Sequence, residues 1–244
     1  MPQFIFILFV IPFVLRLLMA IYQPERLKER EGKKARRVLE QLGRIYQDPL
    51  VSKVGQRLLV EQDVQARFFV LDTPLINAVA LPNGDVFIWR GLLGEVQGDE
   101  DALAAVLGHE LGHVINEHFL RSVYWMALVQ FVFGYFARPL GTIGRQIASR
   151  IVHSGYSKFR ERQADDTAYE LMCRAGYDPQ GMINLFQKLA EIPNPLGILG
   201  THPEPNKRAD RIRRHLGLVE EGKTTSPSTV EDLGNVIIFP TRRS

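Results

Sequence analysis

The sequence predicts an α+β fold that is mainly helical, with a small, mostly antiparallel β-sheet and an N-terminal membrane helix. Three observations support this prediction. Residues 4–22 are almost wholly apolar, residues 66–90 contain short runs rich in Val, Phe, Ile and Trp, and helical periodicity dominates from Asp99 onward. We therefore expect one anchor, one small sheet and a helical remainder.

The composition limits the class of protein. The 244 residues are 45% hydrophobic and 23% charged, which excludes a disordered or fibrous chain. The single cysteine, Cys173, excludes an intramolecular disulfide and CxxC redox chemistry, so a bound metal needs His, Asp or Glu ligands. The net charge of +3 does not indicate a nucleic-acid partner, and we expect none.

The chain divides into three predicted parts. Its length fits one compact domain plus tails, or two very small domains. We predict an N-terminal membrane anchor or signal segment at residues 1–24, a single domain at 25–217 and a disordered tail at 218–244. The tail prediction rests on its content of Glu, Gly, Lys, Thr, Ser and Pro.

The apolar run at 4–22 is just long enough to cross a bilayer, because a helix of about 20 residues spans the hydrocarbon core. Pro12 and Arg16 interrupt it. A cleaved signal peptide is the alternative interpretation, but no charged side chain precedes the run and Leu18-Met19-Ala20 is a poor cleavage site. We favour an uncleaved single anchor that places the protein at a membrane.

A basic segment follows this run. Seven Lys and Arg residues lie between Arg26 and Arg37, against three Glu residues at 25, 29 and 31. The positive-inside rule then predicts a domain on the cytoplasmic or matrix side. A solvated helix face with salt-bridged neighbours is the other interpretation of this segment.

The first elements of the domain are two helices and a group of strands. Residues 25–47 have apolar side chains at helical spacing, Asp48-Pro49 ends this helix, and a second helix is predicted at 50–59. The predicted strands are 67–71, 76–81 and 86–90. Asn83-Gly84, between the last two, is typical of a β-hairpin.

Helices dominate the rest of the domain. Asp99 is a predicted N-cap for a helix that runs from about residue 100 to beyond 118. The later predicted helices are 156–175, 179–192 and 207–216, with a Pro/Gly-rich loop at 193–205 before the last. Residues 123–137 form another apolar run, too short for an ordinary span, that fits either a core helix or a segment in contact with lipid.

The segment His109-Glu110-Leu111-Gly112-His113 is the strongest indication of chemistry. Two histidines four residues apart lie on one face of a helix, so both imidazoles can bind one Zn²⁺ at about 2.0–2.1 Å. Glu110 is placed to take a proton from a metal-bound water. The alternative is a buried helix whose histidines have only structural partners.

A catalytic zinc site needs a third protein ligand. His118 lies nine residues after His109 and would be on the opposite side of the helix if the helix continued, so a supporting or structural role is expected. Glu161 is a better candidate, with Asp165 one turn later on the same face, where it can hydrogen-bond a ligand histidine. A solvated, charged helix face is the alternative for this pair.

Four ordered motifs resemble one family. Ser157 to Asp165 is similar to the SRxxExxAD helix of membrane-associated gluzincin metallopeptidases, with Lys158 in place of the usual Arg. Asn77 to Ile88 resembles their NAxxLPxG hairpin, and Thr201-His202-Pro203 with Arg208 resembles their HPxxxxR segment. Together with HExxH, the likeness covers about residues 68–215 and is greatest to the single-anchor, BepA-like and mitochondrial branch of the family.

This resemblance implies a zincin-type metalloprotease domain with one Zn²⁺ per chain. It implies zinc ligands at His109, His113 and Glu161, a general base and acid at Glu110, and a hydrogen bond from a ligand histidine to Asp165. His202 and Arg208 are the candidates to stabilise the tetrahedral oxyanion. In the family, the histidine that corresponds to His202 lies on a mobile loop and is also a candidate to cap the zinc in a resting state of the enzyme.

The hairpin offers a place for the substrate. A peptide can add as a strand to the edge at 76–81 or 86–90, with Asn77 and Ala78 lining the cleft. Main-chain recognition of this kind gives weak side-chain specificity, which suits polypeptide substrates such as membrane or misfolded proteins. An ordinary edge strand is the alternative.

Three functions are compared on this basis. The first is a membrane-associated zinc metalloendopeptidase of protein quality control, bound to the bilayer through residues 4–22 and, in one interpretation, 123–137. The second is a catalytically quiet zinc-binding chaperone or adaptor at the membrane, and the third is a zinc hydrolase of non-peptide substrates. The presence of every expected catalytic residue favours the first, and the strand-forming edge argues mildly against the third.

Overall fold

The structure, a computed structural model, describes residues 15, 17–125, 141–192, 202 and 205–218, with the backbone alone for 141–157. Most of the predicted anchor, residues 126–137 of the second apolar run, most of the 193–205 loop and the tail from 219 lie outside the described residues. The helices are α1 (Pro24–Leu42), α2 (Pro49–Leu58), α3 (Arg90–Glu95), α4 (Glu100–Ile115), α5 (Gly141–Ala175), α6 (Gln180–Glu191) and α7 (Pro205–His215). The strands are β1 (Ile45–Tyr46), β2 (Arg67–Leu71), β3 (Ala78–Ala80) and β4 (Asp85–Trp89).

The four strands form one mixed sheet in the order β1-β2-β4-β3. β3 and β4 pair antiparallel across the predicted turn, where Gly84 has a φ of +84° that favours glycine. β1 also pairs antiparallel with β2, whereas β2 and β4 run parallel over five residue pairs. The α+β class is confirmed, and β3 is left at the edge of the sheet.

The prediction of one helix over 25–47 was wrong at its end. The helix stops at Leu42, and Ile45 and Tyr46 form β1, paired with Leu71 and Val70. Gly43 lies at the junction, where a Cβ would stand 2.7 Å from the Asp72 carbonyl oxygen. Pairing with a strand distant in sequence therefore overrides the local helical pattern.

The helix predicted to run from 100 to beyond 118 also ends early. α4 stops at Ile115, and Glu117 adopts a φ of +51°, which breaks the helical path. The premise that placed His118 on the far side of a continuous helix is therefore wrong. The later helices agree with their predicted positions, although α5 begins at Gly141, earlier than expected.

α4 is the central helix of the domain. Its residues from Ala102 to Gly112 are all buried, so it is apolar on every side rather than on one face. It packs against α5 and α6 and against the sheet. The two glycines on the α5 side, Gly108 and Gly112, face the α5 backbone at Ala168 and Ala164.

A buried carboxylate ties α1 to the sheet. Asp85, which is fully buried at the start of β4, accepts hydrogen bonds from Arg67 Nε (2.6 Å), Arg36 Nη1 (3.2 Å) and Asn83 Nδ2 (3.3 Å). A buried charge is stable only when it is paired and hydrogen-bonded. The network therefore fixes the hairpin, and with it the edge strand β3, against the first helix of the domain.

The N-terminal segment lies against the chain that follows α4. Ala20 and Leu27 pack with Leu120 and Val123, and the Tyr124 hydroxyl donates to the Ala20 carbonyl (2.7 Å). In the part of the chain that the structure describes, no helix has the length and apolar character needed to cross a bilayer. The membrane anchor therefore stays a prediction.

The α4–α5 contact gives a stability prediction. A Cβ at Gly112 would lie 2.6 Å from the Ala164 carbonyl oxygen, so Gly112→Ala forces the two backbones apart. We expect the free energy of unfolding, measured with urea, to fall by about 1–3 kcal/mol, as for other overpacked cores. In Gly108→Ala, the matched control one turn earlier, the Cβ meets Ala168 at an ordinary 3.4 Å. This variant should be neutral or gain up to about 1 kcal/mol of helix propensity; equal losses in the two variants would contradict the explanation.

Candidate metal centre

The two histidines of α4 direct the same ring nitrogen to one point. His109 and His113 lie one turn apart, and their Nε2 atoms are 3.2 Å from each other. His109 is buried and His113 is half-buried, so the point they share is accessible from one side. Glu110, between them in sequence, is also buried.

α5 supplies a carboxylate to this point. Glu161 Oε2 lies 3.4 Å from His109 Nε2, and Glu161 Oε1 lies 3.5 Å from His113 Nε2. His202 comes from the segment before α7, with its Nδ1 3.1 Å from His109 Nε2 and 2.6 Å from Glu161 Oε2. One ligand atom from each of these four residues lies within 4.8 Å of the others.

The donor set fits a zinc ion. Imidazole nitrogen and carboxylate oxygen are the ligands of catalytic zinc sites, which use three protein ligands. Tetrahedral ligands at about 2.0–2.1 Å from one Zn²⁺ stand about 3.3 Å from each other. The two Nε2 atoms are 3.2 Å apart, and the Glu161 carboxylate presents one oxygen to each of them, Oε2 at 3.4 Å from His109 and Oε1 at 3.5 Å from His113.

The electrostatics of the cluster favour a bound cation. Burial opposes ionisation of His109, but hydrogen bonds to Asp165 and Glu161 raise its pKa to about 9. Burial likewise opposes ionisation of Glu161, but hydrogen bonds from His109 and His202 hold its pKa well below the usual range. Glu161 is thus ionised, and a buried carboxylate requires positive charge next to it.

Burial, together with repulsion from His109, lowers the pKa of His113 well below its ordinary value. His113 is therefore neutral in this environment. A neutral imidazole is the form of histidine that binds a metal.

Asp165 lies behind His109, on the side away from Glu161. Its Oδ1 is 2.9 Å from His109 Nδ1, which leaves Nε2 of His109 for the shared point. Burial raises the pKa of Asp165, but the Arg208 charge and the hydrogen bond from His109 outweigh it and hold the pKa well below its ordinary value. Asp165 is thus a carboxylate that accepts from His109, as expected for a residue supporting a zinc ligand.

Arg208 binds this same carboxylate. Its Nη2 and Nε donate to the two oxygens of Asp165 at 2.6 and 3.0 Å, and its guanidinium lies 4.4 Å from the centre of the Phe186 ring. Arg211 adds a third hydrogen bond to Asp165 at 2.9 Å. Arg208 Nη2 also lies 3.0 Å from His109 Nδ1 and 3.4 Å from His109 Nε2, and its Nη1 lies 3.9 Å from Glu161 Oε2. Arg208 is therefore buried against His109, with contacts that hold the side chains around the centre in place.

His118 lies beside His113 because α4 ends at Ile115. Its Nδ1 is 2.8 Å from His113 Nδ1, and its Nε2 is 3.3 Å from Gln163 Oε1. Burial, with the nearby charges of Arg160 and Arg121, lowers the pKa of His118 to about 4. No sequence pattern indicates a role for Gln163. For His118, the local indication that the helix ends is Asn116, a poor residue for a helix interior.

A cleft connects the centre with the edge strand β3. On one side it is lined by residues 79–82 and on the other by Glu110, His113, Glu161 and His202. The two residues predicted to line it, Asn77 and Ala78, lie immediately before this stretch. Ala78 is buried, and its N–H donates to Asn77 Oδ1 at 3.0 Å.

The Asp165 network gives the second prediction. Asp165→Asn removes the carboxylate that hydrogen-bonds the buried Arg208. Glu161, 3.9 Å from Arg208 Nη1, remains as a partial counter-charge. We expect the free energy of unfolding in urea to fall by about 3 kcal/mol, the lower end of the range for a broken buried pair.

Asp166→Asn is the matched control. Its carboxylate is half-exposed and lies 3.4 Å from Arg211 Nη2, so the loss should stay below about 1 kcal/mol. Similar losses in the two variants would show that the burial of Asp165 does not matter.

Comparison with known proteins gives one family. A model of Peptidase family M48 matches residues 47–216. The chain is 31% identical over 157 residues to mitochondrial metalloendopeptidase OMA1 of Arabidopsis thaliana, covering 62% of this chain and 32% of that protein.

Two bacterial relatives agree. Identity is 27% over 203 residues to the beta-barrel assembly-enhancing protease of Yersinia pestis, covering 73% of this chain and 42% of that protein. The identity to metalloprotease LoiP of Escherichia coli is 29% over 150 residues, covering 58% of this chain and 59% of that protein. The chain thus spans between 32% and 59% of the length of these three relatives. The resemblance found in the motifs is confirmed, and the chain belongs to peptidase family M48.

Proposed function

We propose that this chain is a zinc-dependent metalloendopeptidase that hydrolyses peptide bonds of membrane or misfolded proteins. The observation that carries the proposal is the convergence of His109, His113 and Glu161, with Glu110 beside them in a cleft that also borders an edge strand. Peptidases of this family are zinc-dependent. The relatives named metalloendopeptidase and beta-barrel assembly-enhancing protease support the reaction and the substrate class.

His109, His113 and Glu161 would hold the metal. When bound, zinc lowers the pKa of a coordinated water toward 7 and polarises the scissile carbonyl. Asp165 keeps His109 oriented with its Nε2 toward the centre, and the two hydrogen bonds from the Arg208 guanidinium keep Asp165 in place. We therefore propose that Arg208 positions His109 through Asp165, rather than stabilising the oxyanion as the sequence first indicated.

Glu110 would carry the protons of the reaction. It lines the cleft next to His113 and Glu161 but is not a member of the group of metal-ligating atoms. A carboxylate there accepts a proton from the attacking water and delivers it to the leaving amine. This residue also separates the proposal from a quiet zinc-binding chaperone or adaptor, which would not need a buried carboxylate in that place.

His202 would have two positions. In the structure described here its Nδ1 lies 2.6 Å from Glu161, while its Nε2 lies 3.6 Å from Glu110 Oε1, so it occupies part of the ligand group. We propose that this is the resting position. With substrate bound, His202 leaves Glu161 and its ring N–H donates to the developing oxyanion.

The substrate would bind along β3. Leu81 N donates to Asp85 O and Trp89 N donates to Asn77 O, so the antiparallel alternation directs the main-chain groups of Val79 toward β4. The N–H and C=O of Ala80 therefore face away from β4, toward the cleft. A peptide adding as a strand there pairs with Ala80 while its next residues pass over Glu110 and the metal ligands.

Association with a membrane is part of the proposal. The apolar run at 4–22 supports it, and Leu15, Leu18, Ile21 and Tyr22 at its end are exposed in the described part. The basic flank from Arg26 to Arg37 supports a domain on the cytoplasmic or matrix side. Residues 123–137 are a second candidate for contact with lipid.

The reaction is tested with two isosteric variants of the full chain. Glu110→Gln should retain one zinc per chain by elemental analysis and lose cleavage of an unfolded protein substrate by a factor of about 10²–10⁴. Glu161→Gln should lose or greatly weaken zinc binding as well as cleavage, because it removes a charged ligand. Retained cleavage by Glu110→Gln would refute its role, and unchanged zinc in Glu161→Gln would show that the third ligand is misassigned.

The edge-strand mode is tested at Ala80. Ala80→Pro removes an N–H that does not pair with β4, so the fold and the zinc content should be unchanged. We expect kcat/KM for a peptide substrate to fall about tenfold, the value of one lost hydrogen bond. Ala80→Ser keeps the N–H and should cleave at nearly the original rate. Equal rates for the two variants would contradict strand addition at this edge.

A further inference from the structure

We propose that His118 and Gln163 form a hydrogen-bonded chain that fixes His113 in the tautomer able to bind the metal. This inference rests on the proposed zinc site and assigns a positioning role to two residues outside the ligand set. The contacts that carry it are His113 Nδ1 to His118 Nδ1 (2.8 Å) and His118 Nε2 to Gln163 Oε1 (3.3 Å).

The first step concerns the ring nitrogens of His113. Its Nε2 faces the centre, 3.2 Å from His109 Nε2 and 3.5 Å from Glu161 Oε1. To bind a cation, this atom must offer a lone pair, so the single proton of the neutral ring has to be on Nδ1. Nδ1 then needs an acceptor, and His118 Nδ1 stands at hydrogen-bond distance.

The second step concerns the proton of His118. A neutral imidazole has one donor and one acceptor nitrogen. If its proton is on Nε2, it is donated to the amide oxygen of Gln163, and Nδ1 accepts from His113. If the proton is on Nδ1, it is donated to His113 Nδ1, which moves the His113 proton to Nε2 and blocks the metal. The oxygen of Gln163 facing His118 therefore selects the competent arrangement.

The third step is the contrast with the other histidine ligand. Behind His109 stands Asp165, a carboxylate that can only accept a hydrogen bond and therefore favours a proton on His109 Nδ1. Arg208 Nη2, 3.0 Å from the same nitrogen, donates to Asp165 Oδ1 at 2.6 Å. Behind His113 stands an imidazole, which can donate or accept. A third residue is then required to decide its direction, and Gln163 on α5 fulfils that requirement.

The fold holds His118 in place for this role. The left-handed conformation of Glu117 turns the chain after α4, so that His118 returns to the His113 ring. The Ser122 hydroxyl donates to the His118 carbonyl (2.6 Å), and the His118 side chain is buried. Burial of the side chain, together with its contacts to His113 and Gln163, restricts the ring to the place where both of its nitrogens have partners.

The test measures the zinc dissociation constant of the full chain by competition with a chelating dye. His118→Phe keeps the ring volume and removes the acceptor, and we expect zinc to bind about 10–100 times more weakly. His118→Asn places an amide oxygen near the former Nδ1, which can accept from His113, and should bind within about threefold of the original chain. His215→Phe, at the exposed end of α7, is the matched control and should leave the affinity unchanged.

A second measurement uses the original chain, so its result does not depend on whether the variants fold. Long-range ¹H–¹⁵N spectra of the zinc-loaded original chain should show a proton on Nδ1 of His113 and on Nε2 of His118. A proton on Nδ1 of His118, or a folded His118→Phe chain with unchanged zinc affinity, would overturn the inference while leaving the zinc site intact. Failure of the original chain to bind zinc would instead overturn the proposed function itself, and this inference with it.

Discussion

The close approach of α4 and α5 is the constraint on which the centre depends. Gly112 allows the α5 backbone at Ala164 to lie where a side chain would otherwise stand. Only at this separation does Glu161, on α5, reach the histidine nitrogens of α4 at 3.4–3.5 Å. Side-chain donors from two helices meet within a few tenths of an ångström of the required separation because the helices themselves have almost no freedom to slide.

The charges of the centre are arranged in layers. Glu161 faces the shared point, His109 separates it from Asp165, and Arg208 and Arg211 compensate Asp165 from behind. Each buried charge therefore has an opposite charge or a hydrogen-bond donor next to it, which buried ionic groups require. The two arginines hydrogen-bond the outer carboxylate, Arg208 lies 3.9 Å from Glu161 as well, and Glu161 faces the point where a metal would bind.

Much of the centre could be predicted because its residues follow local rules. The spacing of His109 and His113, and of Glu161 and Asp165, depends only on helical periodicity, and the β3–β4 hairpin depends on Asn83-Gly84. β1 could not be predicted, because two residues become a strand only by pairing with Val70 and Leu71. The position of His118 beside His113 was not predicted, because the left-handed conformation of Glu117 changes the direction of the chain that follows α4. Contacts between distant segments, such as Arg208 with Asp165, leave no periodic trace in the sequence.

The anchoring of α7 sets a length scale for opening the cleft. His202 precedes Pro205, the first residue of α7, by three residues, and α7 is fastened to α5 through Arg208 and Arg211. Three residues of fully extended chain span at most about 11 Å. The reach of His202 is therefore limited by the start of α7, and the carboxylate that orients His109 also holds α7 in place. While Asp165 holds both arginines, the Cα of His202 would stay within that distance of the Cα of Pro205, so a wider opening would also disturb the support of the metal ligand.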